Sequence, residues 1–419
     1  MPELDVALGE AVADPVDGFA GLVAPELDEV LLDVAARVLR GHRDELELVD
    51  LGAPGLLVAG VDGAEVLADA RADGESVDAD HLAARFGSGG DGEEAARAFQ
   101  GRSVCIVSDR NVAPHYLSQA THSLERAGFT VLAFVFPAGE EHKNGHTYLS
   151  LLEYLAQEHL TRADGLVALG GGVVGDLTGF AAATYLRGIP FLQLPTTLLA
   201  AGDASVGGKT AIDLEHGKNL AGAFYQPKAV LCDLDTWATL PADILSDGCA
   251  EVIKYGMIGD ADLLDTLAQG DFREDPEEVV ARCIAHKRDL VEQDEFDTGS
   301  RQLLSLGHTI GHGIEACSGY QLAHGKAVAI GMTLVTRAAI HLGLCPEATL
   351  PKLVNLLREY GLPTETDYPA ADLLAKMLSD KKRAGDTISL VVPTGWGKSQ
   401  LYPVPVSQLP VWLDRGLGK

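Results

Sequence analysis

At 419 residues the chain exceeds one ordinary hydrophobic core, and 47% apolar with 22% charged residues marks it as globular rather than fibrous or disordered. A formal net charge of −29 argues against nucleic acid and anionic membranes as general partners, so an anionic substrate has to be met by a local basic pocket. No basic segment with a following apolar stretch opens the sequence, no apolar span of about 18 residues interrupts it, and six cysteines are scattered without a CxxC pair; a cytoplasmic protein with reduced thiols is expected.

The first 100 residues hold 23 acidic side chains against six arginines and no lysine, and so carry −17 of the total charge. Helical apolar spacing runs from Pro25 to Arg40, two apolar runs around Val61-Asp62-Gly63 suggest a hairpin between Leu56 and Ala68, and Gly87 to Gly92 reads as a flexible loop. From Val104 an apolar run leads into the polar turn Ser108-Asp109-Arg110-Asn111, and Pro137 to Lys143, with Glu140, forms another polar segment of the kind that strand ends present to ligands. Gly165 to Leu169 is a strand-like run, followed by Gly170-Gly171-Gly172-Val173-Val174-Gly175-Asp176 and a helical stretch from Leu177 to Leu186. Gly170, Gly172 and Gly175 satisfy the GxGxxG spacing, in which the backbone approaches a pyrophosphate at a helix N-terminus. No acidic residue follows between Asp176 and Asp203, so a ribose partner has to come from elsewhere.

Gly202 to Thr210 resembles a phosphate loop, but Asp203 stands where the Walker pattern needs glycine, which disfavours a nucleotide kinase. Lys209, Lys218-Asn219 and Arg187 still supply polar and cationic groups for a phosphorylated or carboxylated substrate. Strands and helices alternate to about Thr239; from Leu240 the pattern is mainly helical, with a late strand over Ile388 to Val392. In that second half His308 and His312 stand four apart, on one face of a helix, and a second helix after Ser318-Gly319-Tyr320 carries His324 back toward them. A metal set needs a carboxylate, for which Glu251, flanked by apolar residues and one turn from Lys254, is the best candidate.

Taken together, Gly170 to Asp176, Pro195-Thr196-Thr197-Leu198-Leu199, Asp203 to Thr210, Gly217-Lys218-Asn219, Gly222 to Pro227, Glu251 to Tyr255, Gly307 to His312, His324-Gly325 and Asp380-Lys381-Lys382 closely resemble the sugar phosphate cyclases. Within them the match is to the 3-dehydroquinate synthases. The resemblance implies an α/β fold: an N-terminal Rossmann-like NAD-binding domain, over 101–239, followed by a mainly α-helical metal- and substrate-binding domain, over 240–419. Residues 1–100 would then be an acidic extension with possible first strands. It also implies NAD and one divalent metal, zinc or cobalt, a small sugar phosphate substrate and a homodimer.

Carried over by residue, the family pattern makes Glu251, His308 and His324 the metal ligands and leaves His312 to contact substrate or support a ligand. Asp109, Asn111, Glu140, Lys143, Gly171, Gly172, Asp176, Thr196, Thr197, Lys218 and Thr239 would line the NAD site. Asp203, Lys209, Asn219, Lys254, Lys287, Arg301, His312 and Lys382 would surround the substrate, with Lys287 and Arg301 clamping its carboxylate and Arg187 reaching its phosphate from a neighbouring subunit. The implied reaction turns 3-deoxy-D-arabino-heptulosonate 7-phosphate into 3-dehydroquinate by transient oxidation, phosphate elimination, re-reduction, ring opening and aldol closure.

Ser305 departs from the pattern, which has asparagine there, and offers one hydroxyl instead of an amide. It keeps an amino-substituted substrate open. A metal-dependent polyol dehydrogenase shares the implied fold, but the cations Lys209 and Arg187, with Asn219, argue against it; the intact Glu251, His308 and His324 argue against a non-catalytic scaffold.

Overall fold

Apolar side chains at consecutive positions, with no polar face, build the strands of the first half, because both faces of a parallel sheet are covered by helices. The computed structural model describes residues 56–59, 65–68, 90–270, 272–274, 276–378, 383–384 and 386–419. The helix expected over Pro25 to Arg40, Gly87 to Gly89 and the Asp380-Lys381-Lys382 motif lie outside them.

Strands β1 (Leu56–Ala59) and β2 (Glu65–Ala68) pair antiparallel, as the apolar runs around Val61-Asp62-Gly63 suggest. Helix α1 (Gly90–Ala98) begins inside the stretch read as a loop, so Gly90 to Gly92 are its first turn. Then come β3 (Ser103–Asp109), α2 (Ala113–Arg126), β4 (Thr130–Phe136), α3 (Gly145–Gln157), β5 (Gly165–Gly170), α4 (Gly172–Thr184), β6 (Phe191–Pro195), β7 (Lys209–Leu214), β8 (Gly217–Phe224) and β9 (Ala229–Val230). Helix α4 starts at Gly172, five residues before the expected Leu177, because Gly171 already takes the cap position.

Strands β4, β3, β5, β6 and β9 lie in that order in one wholly parallel sheet. Alternation along each strand serves two cores. Val104, Ile106, Val167 and Leu169 pack with Leu124 of α2, whereas Cys105, Val107, Leu166 and Ala168 pack with Leu151 and Leu155 of α3 and Leu177 of α4. The chain leaves β3 for β4 on one side and later places β5 on the other, so the C-terminal ends of β3 and β5 flank a topological switch point, where such sheets bind ligands. The antiparallel hairpin β7–β8, with Lys209 opposite Phe224, was not foreseen in the run of strands and helices.

The second half is helical: α5 (Ala242–Gly259), α6 (Ala261–Gln269), α7 (Pro276–Gln293), α8 (His308–Cys317), α9 (His324–His341), α10 (Thr349–Glu359), α11 (Ala370–Met377) and α12 (Leu409–Gly416). Its late strand is part of β11 (Thr387–Gly395), which pairs antiparallel with the short β10 (Arg383–Ala384) and with β12 (Lys398–Pro405), a partner the apolar pattern did not reveal. Helix α9 is buried along nearly its whole length, from Gly325 to Ala339. None of the described helices is long and apolar enough to cross a membrane.

Asp260, just past the end of α5, ties α6 and α7 together. It caps α6 by accepting from the Leu263 amide at 2.9 Å, and it accepts from Arg282 of α7, with His286 at 3.2 Å. Burial pushes its carboxyl upward, but the Arg282 hydrogen bonds, the Leu263 amide and the Arg282 charge hold it below the ordinary carboxylate range. The folded value lies below the unfolded one, about 3.9, so this stabilisation is complete above that pH and is lost as acid approaches the folded value. Asp260→Asn, which keeps a good helix cap, is expected to cost about 1 kcal/mol at neutral pH and less at about pH 3. Urea unfolding midpoints at the two pH values check this; an equal loss at both would remove the role of charge.

Candidate active site

The metal candidates are brought together by helix packing. Glu251 lies in the middle of α5, 2% exposed, while His308 opens α8 and His324 opens α9. Gly325 makes the close approach possible: a Cβ there would run into the main-chain carbonyl of Asp247 on α5, and the Asp247 carboxylate accepts from the Lys326 amide at 2.9 Å. Gly307, at φ 78°, likewise turns the chain into α8, and a Cβ there would meet the Val328 carbonyl at 2.6 Å. The result is that His308 Nε2 and His324 Nε2 stand 3.5 and 3.3 Å from one oxygen, Glu251 Oε1.

Those separations fit a metal. Ligands at about 2.0–2.1 Å from a tetrahedral ion stand roughly 3.3–3.4 Å apart. Neither oxygen of Glu251 has a hydrogen-bond donor in proper alignment, although Lys254 lies against Oε2 as an ion pair. His308 Nδ1 faces the Leu306 carbonyl at 3.0 Å, which leaves Nε2 as the ligating nitrogen. His312, one turn along α8, has its ring 5.6 Å from that of His308 and 6.0 Å from that of His324. It belongs to the cluster but is not near Glu251 in the way the other two are.

Beside this cluster lies a buried charge network. Asp203 sits in a π-helical turn, Ala200–Ala204, and takes Lys254 at 3.3 Å, the Tyr255 hydroxyl at 2.8 Å and Lys287, whose ammonium also donates to the Asp203 carbonyl at 2.6 Å. Burial raises the Asp203 carboxyl, but Lys254 and Lys287 overcome it and hold the acid well below its usual range. Arg301, 1% exposed, donates to the Gly207 carbonyl at 2.8 Å and to the Glu295 carbonyl at 2.5 Å, while its buried Nε has no partner. Lys287 and Arg301 therefore approach the same 203–207 segment. Lys209 is more exposed and pairs with Asp297.

The cofactor candidates gather at the C-terminal ends of the parallel strands. Asp109 ends β3 and accepts from the Asn111 and Val112 amides at 2.8 and 3.0 Å. Gly171 caps α4 without a side-chain hydrogen bond, so the helix N-terminus is presented to solvent or ligand. Thr196 follows β6, its amide bonded to the Gly170 carbonyl at 3.0 Å and its hydroxyl buried without a partner; the Thr197 hydroxyl accepts from the Ala200 amide. Lys143, buried, pairs with Asp176 at 2.5 Å and donates to Asn219 at 2.6 Å, with Asn219 held at φ 53° in the hairpin. Lys218 of the same hairpin stands 3.1 Å from Glu140 and 3.5 Å from Glu315. Thr239 takes part at the far edge, against the Tyr116 hydroxyl at 2.5 Å.

Two expected residues do not join. Arg187 is exposed on the turn after α4, at φ 68°, and forms no ion pair with the described residues; Lys382 is outside them. Two others were missed. Tyr255 follows Lys254 directly, and its neighbour's side chain reaching the same Asp203 is a tertiary fact. Glu315 is the single acid of α8 and lies three residues after His312, a spacing that places both on one face. Its oxygen is 3.4 Å from His324 Nδ1. Burial opposes charge on His324, but Glu251 and Glu315 raise its imidazole to about 10. Glu315, raised by burial and lowered more by His324 and Lys218, falls to about 2.

Known proteins share this architecture. Family models for the N-terminal and C-terminal parts of 3-dehydroquinate synthase match residues 133–247 and 248–383. The 3-dehydroquinate synthase of Streptococcus suis is 42% identical over 320 residues, covering 75% of this chain and 90% of that one. A 2-deoxy-scyllo-inosose synthase complexed with carbaglucose-6-phosphate, NAD+ and Co2+ superposes with a TM-score of 0.67 at 27% identity, over 75% of this chain and 91% of its own. The 2-epi-5-epi-valiolone synthase of Streptomyces hygroscopicus, with NAD+ and Zn2+ bound, gives 0.68 at 27%, over 74% and 90%. An α/β sheet with its glycine turn, a helical second half and these matches to both parts together place the chain in the 3-dehydroquinate synthase family.

Proposed function

We propose that this chain converts 3-deoxy-D-arabino-heptulosonate 7-phosphate into 3-dehydroquinate and inorganic phosphate, using NAD and one divalent metal, zinc or cobalt, as a carbon–oxygen lyase of the shikimate pathway. The observation that carries the reading is the convergence of two imidazole Nε2 atoms on one buried carboxylate oxygen, beside the strand ends where a dinucleotide binds. Glu251, His308 and His324 would hold the metal. Asp109, Asn111, Glu140, Lys143, Gly171, Gly172, Asp176, Thr196, Thr197, Lys218 and Thr239 would hold NAD, and the uncapped N-terminus of α4 and the unpartnered Thr196 hydroxyl support this. A divalent metal held there would supply acidification of the substrate hydroxyl, and NAD would supply a reversible acceptor for hydride from the carbon that bears it.

The protein's own groups orient the substrate and exclude water. Lys254 pairs with both Glu251 and Asp203 and holds them in place, while Lys287 and Arg301 turn cationic groups to the 203–207 segment, where a carboxylate would be clamped. His312 supplies an imidazole beside the ligands for proton transfer. Lys209 and Asn219, both on the hairpin, would contact the substrate from there. The exposure of Arg187 and its lack of an ion pair among the described residues support delivery to the phosphate of a neighbouring subunit in a homodimer. The free cysteines fit a reducing cytoplasm.

Metal-loaded protein mixed with NAD+ and the heptulosonate phosphate should release phosphate and form dehydroquinate in equal amounts, with no net NADH. Steady NADH accumulation would favour a polyol dehydrogenase. No turnover with metal bound would move the reading to an amino-substituted substrate, since Ser305, half-buried in the turn before Gly307, departs from the family asparagine; Ser305→Asn should then restore activity.

A further inference from the structure

We propose that Glu315 is a positioning residue for His324: its carboxylate engages Nδ1, so that Nε2 is held toward Glu251 as the metal-ligating nitrogen. The inference rests on the reading of Glu251, His308 and His324 as the metal set.

The geometry is that of an imidazole clamped at both ends. Glu315 Oε1 stands 3.4 Å from His324 Nδ1, and Glu251 Oε1 stands 3.3 Å from His324 Nε2. Glu315 belongs to α8, opposite the first residue of α9, so the contact crosses the helix pair and orients a side chain at a helix end, where the local backbone does least to fix it. The carboxylate is 2% exposed, and burying it is costly unless it is paired. Lys218 provides one partner at 3.5 Å but already has Glu140 at 3.1 Å; the His324 imidazole is a second, and His312 also lies near the carboxylate. A carboxylate accepting Nδ1–H selects the tautomer with the lone pair on Nε2 and makes that nitrogen a stronger donor. The two histidines thus differ: His308 is oriented by the neutral Leu306 carbonyl, and His324 by a charged group. Through Lys218 and Glu140 the same carboxylate is tied to the loop after β4, on the cofactor side.

The test is a titration of chelator-stripped protein with Co2+, whose visible absorption reports both affinity and ligand geometry. Glu315→Gln is expected to weaken Co2+ binding about 10- to 100-fold and to alter the cobalt bands, with Glu315→Asp falling between it and the parent chain. A carboxylate that only filled a buried ion pair would lower thermal stability and leave the cobalt spectrum unchanged. Affinity within about 2-fold of the parent, with superimposable bands, overturns the proposal, given the size of effect expected for such partners. If the glutamine variant does not fold, the aspartate variant decides by the same two readings, because it keeps the charge and withdraws it by one methylene. Parent protein that takes up no Co2+ removes the metal reading and this inference together; normal uptake with an unaltered variant removes the inference alone.

Discussion

His308→Ala is expected to lower kcat/KM by on the order of 10³-fold, about 4 kcal/mol of transition-state stabilisation, and to release the metal from the purified protein. The reason is in the donor set. Glu251, His308 and His324 offer three ligand atoms within mutual reach, as do His312, Glu315 and His324, and removing His308 leaves the set around Glu251 with two donors, too few for a site that keeps one position open for substrate. The fold should survive the change, because His308 is at the first position of α8, partly exposed, and the close packing of α8 on α9 rests on Gly307, Gly311 and Gly331 rather than on the imidazole. Elemental analysis and steady-state kinetics of the same preparation check it. Full metal content with activity near that of the parent would refute the assignment of this histidine.

The second large effect is on stability. Lys254, 1% exposed, stands between two carboxylates, Glu251 and Asp203, and burial, which disfavours its charge, is outweighed by both acids, so the ammonium is held above the ordinary lysine value. Lys254→Met matches the length of the side chain but leaves Glu251 and Asp203 buried with less compensation; Lys287 still serves Asp203, and in the metal-free protein only the His324 imidazolium, which Glu315 shares, remains against Glu251. The expected cost is about 3–5 kcal/mol in chelator-treated protein, measured by urea unfolding. With metal added the cost should shrink, since a divalent ion at Glu251 replaces the lost positive charge. An equal cost with and without metal would show that the ion does not sit at Glu251, and a loss below about 1 kcal/mol would show that the buried pair is not what holds α5 at this point.

Much of this molecule was open to reading before any coordinates. The run Gly165 to Leu169, its glycine turn and the helix after it are local: chain stiffness, glycine and apolar spacing act within a few residues, and β5, Gly171 and α4 follow. The spacing of His308 and His312 is local too, since four residues make one helical turn. Glu251 was recognisable as an acid in an apolar helical run, which burial then explains.

Contacts between distant segments were of another kind. Glu315 gave the sequence reader only a spacing from His312; its meeting with His324 depends on how α8 crosses α9. Tyr255 reaches Asp203 because the π-helical turn at Ala200–Ala204 brings that acid over α5. The pairing of Lys143 with both Asp176 and Asn219 requires the hairpin β7–β8 to fold back on the sheet, and no periodicity announced it. Strand β12, with proline and polar residues along its exposed side, lacks the apolar run that marks β11. The sequence by itself determined the elements and the inventory of chemical groups, because those depend on neighbours along the chain. Only the tertiary structure decided which acid faces which base, because Gly325 and Gly307 set how closely helices approach.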